Sequence, residues 1–95
     1  MIRNFKDKET EKIFHQEFSK RIPENNARIA LRKLMMIDAA ESLQDLRVPP
    51  AKHLEMLHGD RQGQWSIRFN DKWRIAFVPL QGGKDYEDVE IVDYH

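Results

Sequence analysis

The chain has 95 residues, no cysteine, and equal numbers of acidic and basic side chains. This length suits one domain, residues 1–95, with a modest core, and the lack of cysteine excludes disulfide scaffolds, thiol nucleophiles and thiolate zinc sites. A formal net charge of zero argues against a protein that coats nucleic acid non-specifically.

The first third of the chain predicts a short strand and a helix. MIRNF, residues 1–5, is typical of a strand. Asp7 or Thr10 can cap a helix that runs to about Lys20. The apolar stripe of this helix comprises Ile13, Phe14 and Phe18.

A second helix is predicted from Pro23, as its first residue, to roughly Ala40. Its apolar residues recur at helical spacing: Ala27, Ala30, Leu31, Leu34 and Met35. Met35 and Met36 are expected to fill the core. A shorter helical turn with Leu43 and Leu46 is expected before Pro49 and Pro50 stop it.

The spacing of apolar residues changes to alternation after the two prolines, which indicates strands in QWSIRF and KWRIAF. A two-residue turn would place apolar residues opposite charged ones. A three-residue loop, residues 70–72, instead pairs apolar residues on one face. The pairs are Phe69 with Trp73, Ile67 with Ile75 and Trp65 with Phe77. We therefore expect both tryptophans in the core rather than stacked on bases.

The same register puts Arg68 directly opposite Arg74 on the other face. Like charges facing each other across two strands are destabilising, and an anion would relieve the repulsion. Arginine is also the side chain that binds a phosphate through a planar fork. The alternative is that each arginine pairs with a nearby acid or lies along the surface.

The C-terminal stretch DVEIVDYH also alternates. If Val89 and Ile91 face the core, a set of alternate residues shares the face of the two arginines. This set is Glu90, Val92 and Tyr94. Asp93 then points toward the covered side, and His95 follows. Acid and base groups would thus lie beside two phosphate-binding arginines.

These blocks together resemble the HigB toxins of the RelE superfamily. The resemblance rests on GDRQGQWSIRFNDKWRIAF, residues 59–77, on VEIVDYH at residues 89–95, and on MIRNF and MMIDAAESLQDLRVPP before them. It implies an α+β, RelE-like fold with two N-terminal helices packed on a small, mainly antiparallel sheet. It also implies the toxin of a type II toxin–antitoxin pair, which cleaves mRNA on the ribosome.

The resemblance implies site residues by position. Asp93, Tyr94 and His95 match the terminal catalytic group of the family, and Arg74 matches the arginine that follows a tryptophan in its motif. Arg61 and Arg68 fall in the basic motif, where phosphate contacts are expected. Glu55 and His58 stand where some members have histidine or lysine. With the other cations of this locally basic stretch, the expected RNA contacts are Lys52, His58, Arg61, Arg68 and Lys72.

Cleavage of RNA without a metal needs a base for the 2′-hydroxyl, an acid for the leaving 5′-oxygen, and cations for the phosphorane. His95 is the expected proton carrier because histidine titrates near neutral pH. Tyr94 can serve instead or stack a base. Asp93 is expected to orient His95, and Arg74 to stabilise the transition state.

The implied partners are a helix-turn-helix antitoxin of the HigA type, the ribosome with its mRNA, and operator DNA through the antitoxin only. No cofactor is expected, since His53 and His58 with Glu55 and Asp60 lack the HExxH spacing of a zinc site. The charged start of the chain, without an apolar h-region, predicts a cytoplasmic protein that does not contact membranes. The alternative function is a catalytically inactive module that only binds its antitoxin.

Overall fold

The computed structural model of the protein describes residues 1–47, 54–61 and 63–93, and Lys52, Tyr94 and His95 lie outside these residues. Two helices precede a four-stranded antiparallel sheet with strands in sequential order, which confirms the predicted α+β class. The helices are α1 (Lys8–Phe14) and α2 (Glu24–Ala39), and the strands are β1 (Leu54–Met56), β2 (Trp65–Arg68), β3 (Trp73–Leu80) and β4 (Asp85–Asp93). Within the described ranges, no helix is long and apolar enough to cross a membrane.

Helix α1 begins at the predicted cap, because Asp7 accepts a hydrogen bond from the Thr10 amide at 2.7 Å. Its predicted end near Lys20 is wrong. The helix stops at Phe14, and Gln16 adopts a left-handed backbone conformation with φ 63°, which a helix cannot continue through. Phe18 therefore lies outside the apolar stripe and is 80% exposed.

Helix α2 has the predicted extent but differs in two details. Pro23 is the N-cap rather than the first helical residue, with φ −56° and ψ 147°, and its carbonyl accepts from Ala27 at 2.8 Å. The buried stripe is Ala30, Leu34 and Ile37. The prediction that Met35 fills the core is wrong, because this residue lies about 100° around the helix from Leu34 and faces solvent.

The β2–β3 hairpin has the predicted register. Trp65 pairs with Phe77 and Ile67 with Ile75. The Phe69 amide donates to the Trp73 carbonyl at 3.1 Å, which leaves residues 70–72 as the loop. Asn70 closes the loop by accepting hydrogen bonds from the amides of Lys72 and Trp73. Ile67, Ile75 and Phe77 are fully buried, so this face of the hairpin belongs to the core.

The remaining edges of the sheet differ from expectation. MIRNF forms only two isolated parallel bridges to β4, from Ile2 to Tyr86 and from Phe5 to Val89, rather than a full strand. Strand β1 was not predicted, and it pairs with β2 on the opposite side of the sheet. The core lies between the helices and one face of the sheet, and its largest buried side chains are Tyr86, Phe77, Leu34, Ile37, Leu46, Ile67, Ile75 and Ile91.

Candidate active site

The face of the sheet opposite the helices, called the outer face below, carries the predicted arginines. Arg68 pairs with Arg74 across β2 and β3, and Arg74 pairs with Val92 across β3 and β4. We call the line of Arg68, Arg74 and Val92 across the three strands the arginine row. Val92 is adjacent to Asp93, so the register places the end of β4 beside Arg74, with Arg68 one strand further away. The predicted pairing of the two arginines and the predicted face of Val92 are confirmed.

Arg74 is held firmly on the outer face. Its Nη1 donates to the Ser66 hydroxyl at 2.9 Å, and its Nη2 lies 3.9 Å from Glu55 Oε1. Ser66 is fully buried, and Arg74 is only 4% exposed. The guanidinium is therefore fixed in orientation, a property that suits electrostatic stabilisation of a transition state, although little of its surface is open.

A third arginine reaches the outer face from a loop. The turn Gly59–Arg61 brings Arg61 over the sheet, where its Nη1 donates to Glu90 Oε1 at 2.9 Å and to Gln64 Oε1 at 3.0 Å. Glu90 is 8% exposed, and the Arg61 side chain is 45% exposed. A phosphate that binds Arg61 must therefore compete with a carboxylate.

The site residues to which sequence reasoning assigned no role include Glu55, Glu90 and Ser66. The alternation of β4 did place Glu90 on the arginine face. Its partner Arg61, however, is 29 residues away in a loop, and no local pattern predicts such a contact. The 3.9 Å approach of Arg74 to Glu55 agrees with the alternative in which an arginine of the hairpin pairs with a nearby acid.

Lys72 and Asp93 lie at one end of the arginine row. Asp93 is opposite Trp73 in the β3–β4 register, so its side chain shares the parity of the core, as predicted. Lys72 Nζ is 3.8 Å from Asp93 Oδ2 and 5.5 Å from the centre of the Trp73 ring. The pair places a cation and an acid at the end of β4.

The structure thus brings together part of the predicted site. Arg61, Arg68 and Arg74 share the outer face, with Lys72 and Asp93 at its end. His58 is exposed just before the Gly59–Arg61 turn. Of the residues weighed and rejected as metal ligands, His53 lies outside the described residues. No group of three or more potential ligands occurs in the ranges that the structure covers.

Comparison with known proteins adds a family to this geometry. Residues 3–95 match the model of a HigB-like toxin family, described as the RelE-like toxin of type II toxin–antitoxin system HigB. The chain is 37% identical over 83 residues to Toxin HigB-1 of Vibrio cholerae, an alignment that covers 86% of this chain and 87% of that protein. It is 33% identical over 95 residues, the full length of both chains, to Endoribonuclease HigB of Proteus vulgaris. An uncharacterised protein of Haemophilus influenzae is 44% identical over 57 residues, or 60% of this chain and 56% of that protein.

Proposed function

This chain belongs to the HigB-like family of RelE-like toxins of type II toxin–antitoxin systems, and on that premise we propose that it is a ribosome-dependent mRNA endoribonuclease that stops translation and growth. The whole chain, residues 1–95, would form one RelE-like domain. The name of the Proteus vulgaris relative, Endoribonuclease HigB, supports the proposed activity.

The observation that carries the proposal is the arginine row. Arg68 and Arg74 face each other across two strands, and β4 runs beside Arg74 toward the residues proposed for catalysis. The protein gives up stability by holding two like charges opposite each other. A bound phosphate would relieve that repulsion, so the arrangement favours an anionic ligand at this point of the sheet.

The proposed reaction is attack of a 2′-hydroxyl on the adjacent phosphate, with departure of the 5′-oxygen. His95 moves the proton, as base or acid, and Tyr94 supplies the other proton transfer or stacks a base. Asp93 orients His95, and Arg74 stabilises charge on the phosphorane. Tyr94 and His95 carry these roles by their position in sequence, since they follow Asp93 directly.

The proposed RNA contacts are five residues of the locally basic stretch. Arg68 lies in the row, Arg61 and Lys72 lie at its borders, and Lys52 and His58 belong to the same basic stretch of sequence. Acids already neutralise part of this charge, and the net charge of the chain is zero. Bulk electrostatic attraction to RNA is therefore weak, and we expect the ribosome to deliver the substrate and naked RNA to be cut poorly.

Family membership implies an antitoxin as partner. We propose that this antitoxin is a helix-turn-helix protein of the HigA type that neutralises the chain and, with it, binds operator DNA. Both proteins would then act in the cytoplasm, where mRNA and ribosomes are found.

A second function has one observation in its favour. Arg74 is 4% exposed and lies beside Glu55, and Glu90 accepts a hydrogen bond from Arg61. A surface so closely self-paired suits a toxin relative that has lost catalysis and only binds its antitoxin. In that case the titratable His95 would have no role in growth arrest.

Induced expression in a bacterium that lacks the antitoxin tests the proposed function. Growth and mRNA 5′ ends are recorded for the natural chain, for Arg74→Lys and for the exposed control Arg32→Lys. We expect rapid arrest with new cuts in translated mRNA, retained by the control and strongly reduced by Arg74→Lys. Arrest without new 5′ ends, or no arrest, would refute the nuclease.

A further inference from the structure

One edge of β4 pairs with β3, and the other edge hydrogen-bonds to segments from the start of the chain. Over its first half the partner is the N-terminal segment. Tyr86 and Val89 each donate to and accept from backbone groups of residues 1–6 at 2.7–3.3 Å. These bonds satisfy an edge that would otherwise expose unpaired amides.

Beyond Val89, in the described part of β4, two side chains take the place of the backbone partners at this edge. The Ile91 amide donates to the Thr10 hydroxyl at 2.9 Å, and the Ile91 carbonyl accepts from Arg21 Nη2 at 3.0 Å. Thr10 belongs to α1 and is fully buried, and Arg21 belongs to the loop between the helices. Residues of the helical layer thus hydrogen-bond to both backbone polar groups of Ile91 in β4.

Asp7 contacts both Thr10 and Arg21 and so links them in one hydrogen-bonded network. Its Oδ1 accepts from the Thr10 amide at 2.7 Å and lies 3.4 Å from Arg21 Nη2. The same carboxylate therefore caps α1 and steadies the guanidinium that holds Ile91. We call Asp7, Thr10, Arg21 and Ile91 the strand clamp.

The clamp acts close to the proposed chemistry. Ile91 is paired with Ile75 in the core, and Asp93 is two residues further along the same strand. Arg74 is already fixed by Ser66, so the position of the end of β4 decides how the acid and base groups meet the arginine row. Reacting groups tolerate displacements of only a fraction of an ångström before rate is lost.

We propose that Arg21 is a positioning residue for the reaction, which it serves by holding β4 at Ile91 so that Asp93 keeps its place at the end of the strand that pairs with Arg74. The inference rests on the proposed nuclease function. Arg21 donates to a backbone carbonyl at the sheet edge and does not belong to the arginine row, so its loss slows the chemical step without weakening RNA binding.

The test compares Arg21→Met, which keeps the stem and removes the donor, with Arg21→Lys, which keeps a charged donor. Arg28→Met is the matched control, because Arg28 is 79% exposed on α2 and pairs only loosely with Glu24, at 3.9 Å. With ribosome-bound mRNA as the varied substrate, we expect Arg21→Met to lower kcat by about tenfold or more with KM changed by less than about twofold. Arg21→Lys should recover most of the rate, and Arg28→Met should match the natural chain.

A second measurement does not depend on activity. Amide exchange at Ile91 should accelerate in Arg21→Met, whereas exchange at Ile75, in the centre of the sheet, should not change. Asp7→Asn keeps the helix cap but removes the charge beside Arg21, and it should give an intermediate effect at Ile91. This milder variant decides the question if Arg21→Met does not fold.

The outcomes separate the two proposals. A natural chain that does not cut ribosome-bound mRNA refutes the nuclease, and unchanged exchange at Ile91 then refutes the clamp as well. An active natural chain with full kcat in Arg21→Met overturns the clamp alone. An equal loss in Arg28→Met also overturns it, because the effect would then come from the removed charge and not from Ile91.

Discussion

Replacing Arg68 should stabilise the protein while it impairs function. Arg68 lies directly opposite Arg74, which is 4% exposed, so water screens the repulsion incompletely. Cross-strand pairs of this kind are worth about 0.2–1 kcal/mol, and Glu55, 3.9 Å from Arg74, offsets part of the cost. We expect Arg68→Gln to raise the free energy of unfolding by about 0.5 kcal/mol, which corresponds to a rise in Tm of about 2–4 °C.

Thermal unfolding followed by circular dichroism tests this at low salt and at about 1 M NaCl, where the Debye length falls to about 3 Å. The rise in Tm of Arg68→Gln should shrink at high salt. Arg68→Lys, which keeps the charge, should show no rise in Tm. Cleavage of ribosome-bound mRNA should fall in Arg68→Gln and remain partly intact in Arg68→Lys. A lower Tm in Arg68→Gln, or an equal gain in Arg68→Lys, would refute the explanation by like charges.

Three further predictions concern the scaffold that supports the site. Burial raises the pKa of Tyr86 to about 12, so stability that is complete below the unfolded pKa near 10 should be lost as pH rises toward 12. Tyr86→Phe should flatten that loss in urea unfolding measured across pH, and an unchanged alkaline slope would contradict the assignment. Gly83→Ala should lower the free energy of unfolding by about 2 kcal/mol or more, because the φ of Gly83 is +102° and a Cβ would meet the Leu43 amide nitrogen. Gly82 has a φ of +73° but open space around it. Gly82→Ala should therefore lower the free energy of unfolding by less in the same urea titration. The hydrogen bond from Arg3 lowers the pKa of Asp85, so Asp85→Asn should destabilise the protein at neutral pH. The Tm values of the variant and the natural chain should converge as pH falls below about 4. A Tm difference that does not change with pH would argue against the ion pair.

The hairpin could be predicted from sequence because two rules agreed. Alternation assigned the core face, and only a three-residue loop kept Ile67 opposite Ile75. The facing arginines follow from that register without further information. The parity of β4 likewise placed Val92 on the face of the arginines, and the structure pairs it with Arg74. Such periodic, local signals are the most reliable ones in a sequence.

Other features depend on contacts that local sequence does not encode. The end of α1 at Phe14 follows from the left-handed Gln16, a conformation that sequence signals when the residue is glycine. Strand β1 has only three residues and no clear alternation, so its pairing with β2 defines it. Arg21 meets Ile91 across 70 residues, and only the packing of the helices on the sheet creates that contact.

The proposed role of His95 is tested most directly by the pH dependence of single-turnover cleavage of ribosome-bound mRNA, measured for the natural chain and for His95→Ala. We predict that the natural chain shows a change in rate centred within about one unit of the ordinary histidine pKa of about 6.5. His95→Ala should lose that change together with about a hundredfold or more of the rate. Equal rates and equal pH profiles for the two proteins would contradict the assignment of His95 as the proton carrier.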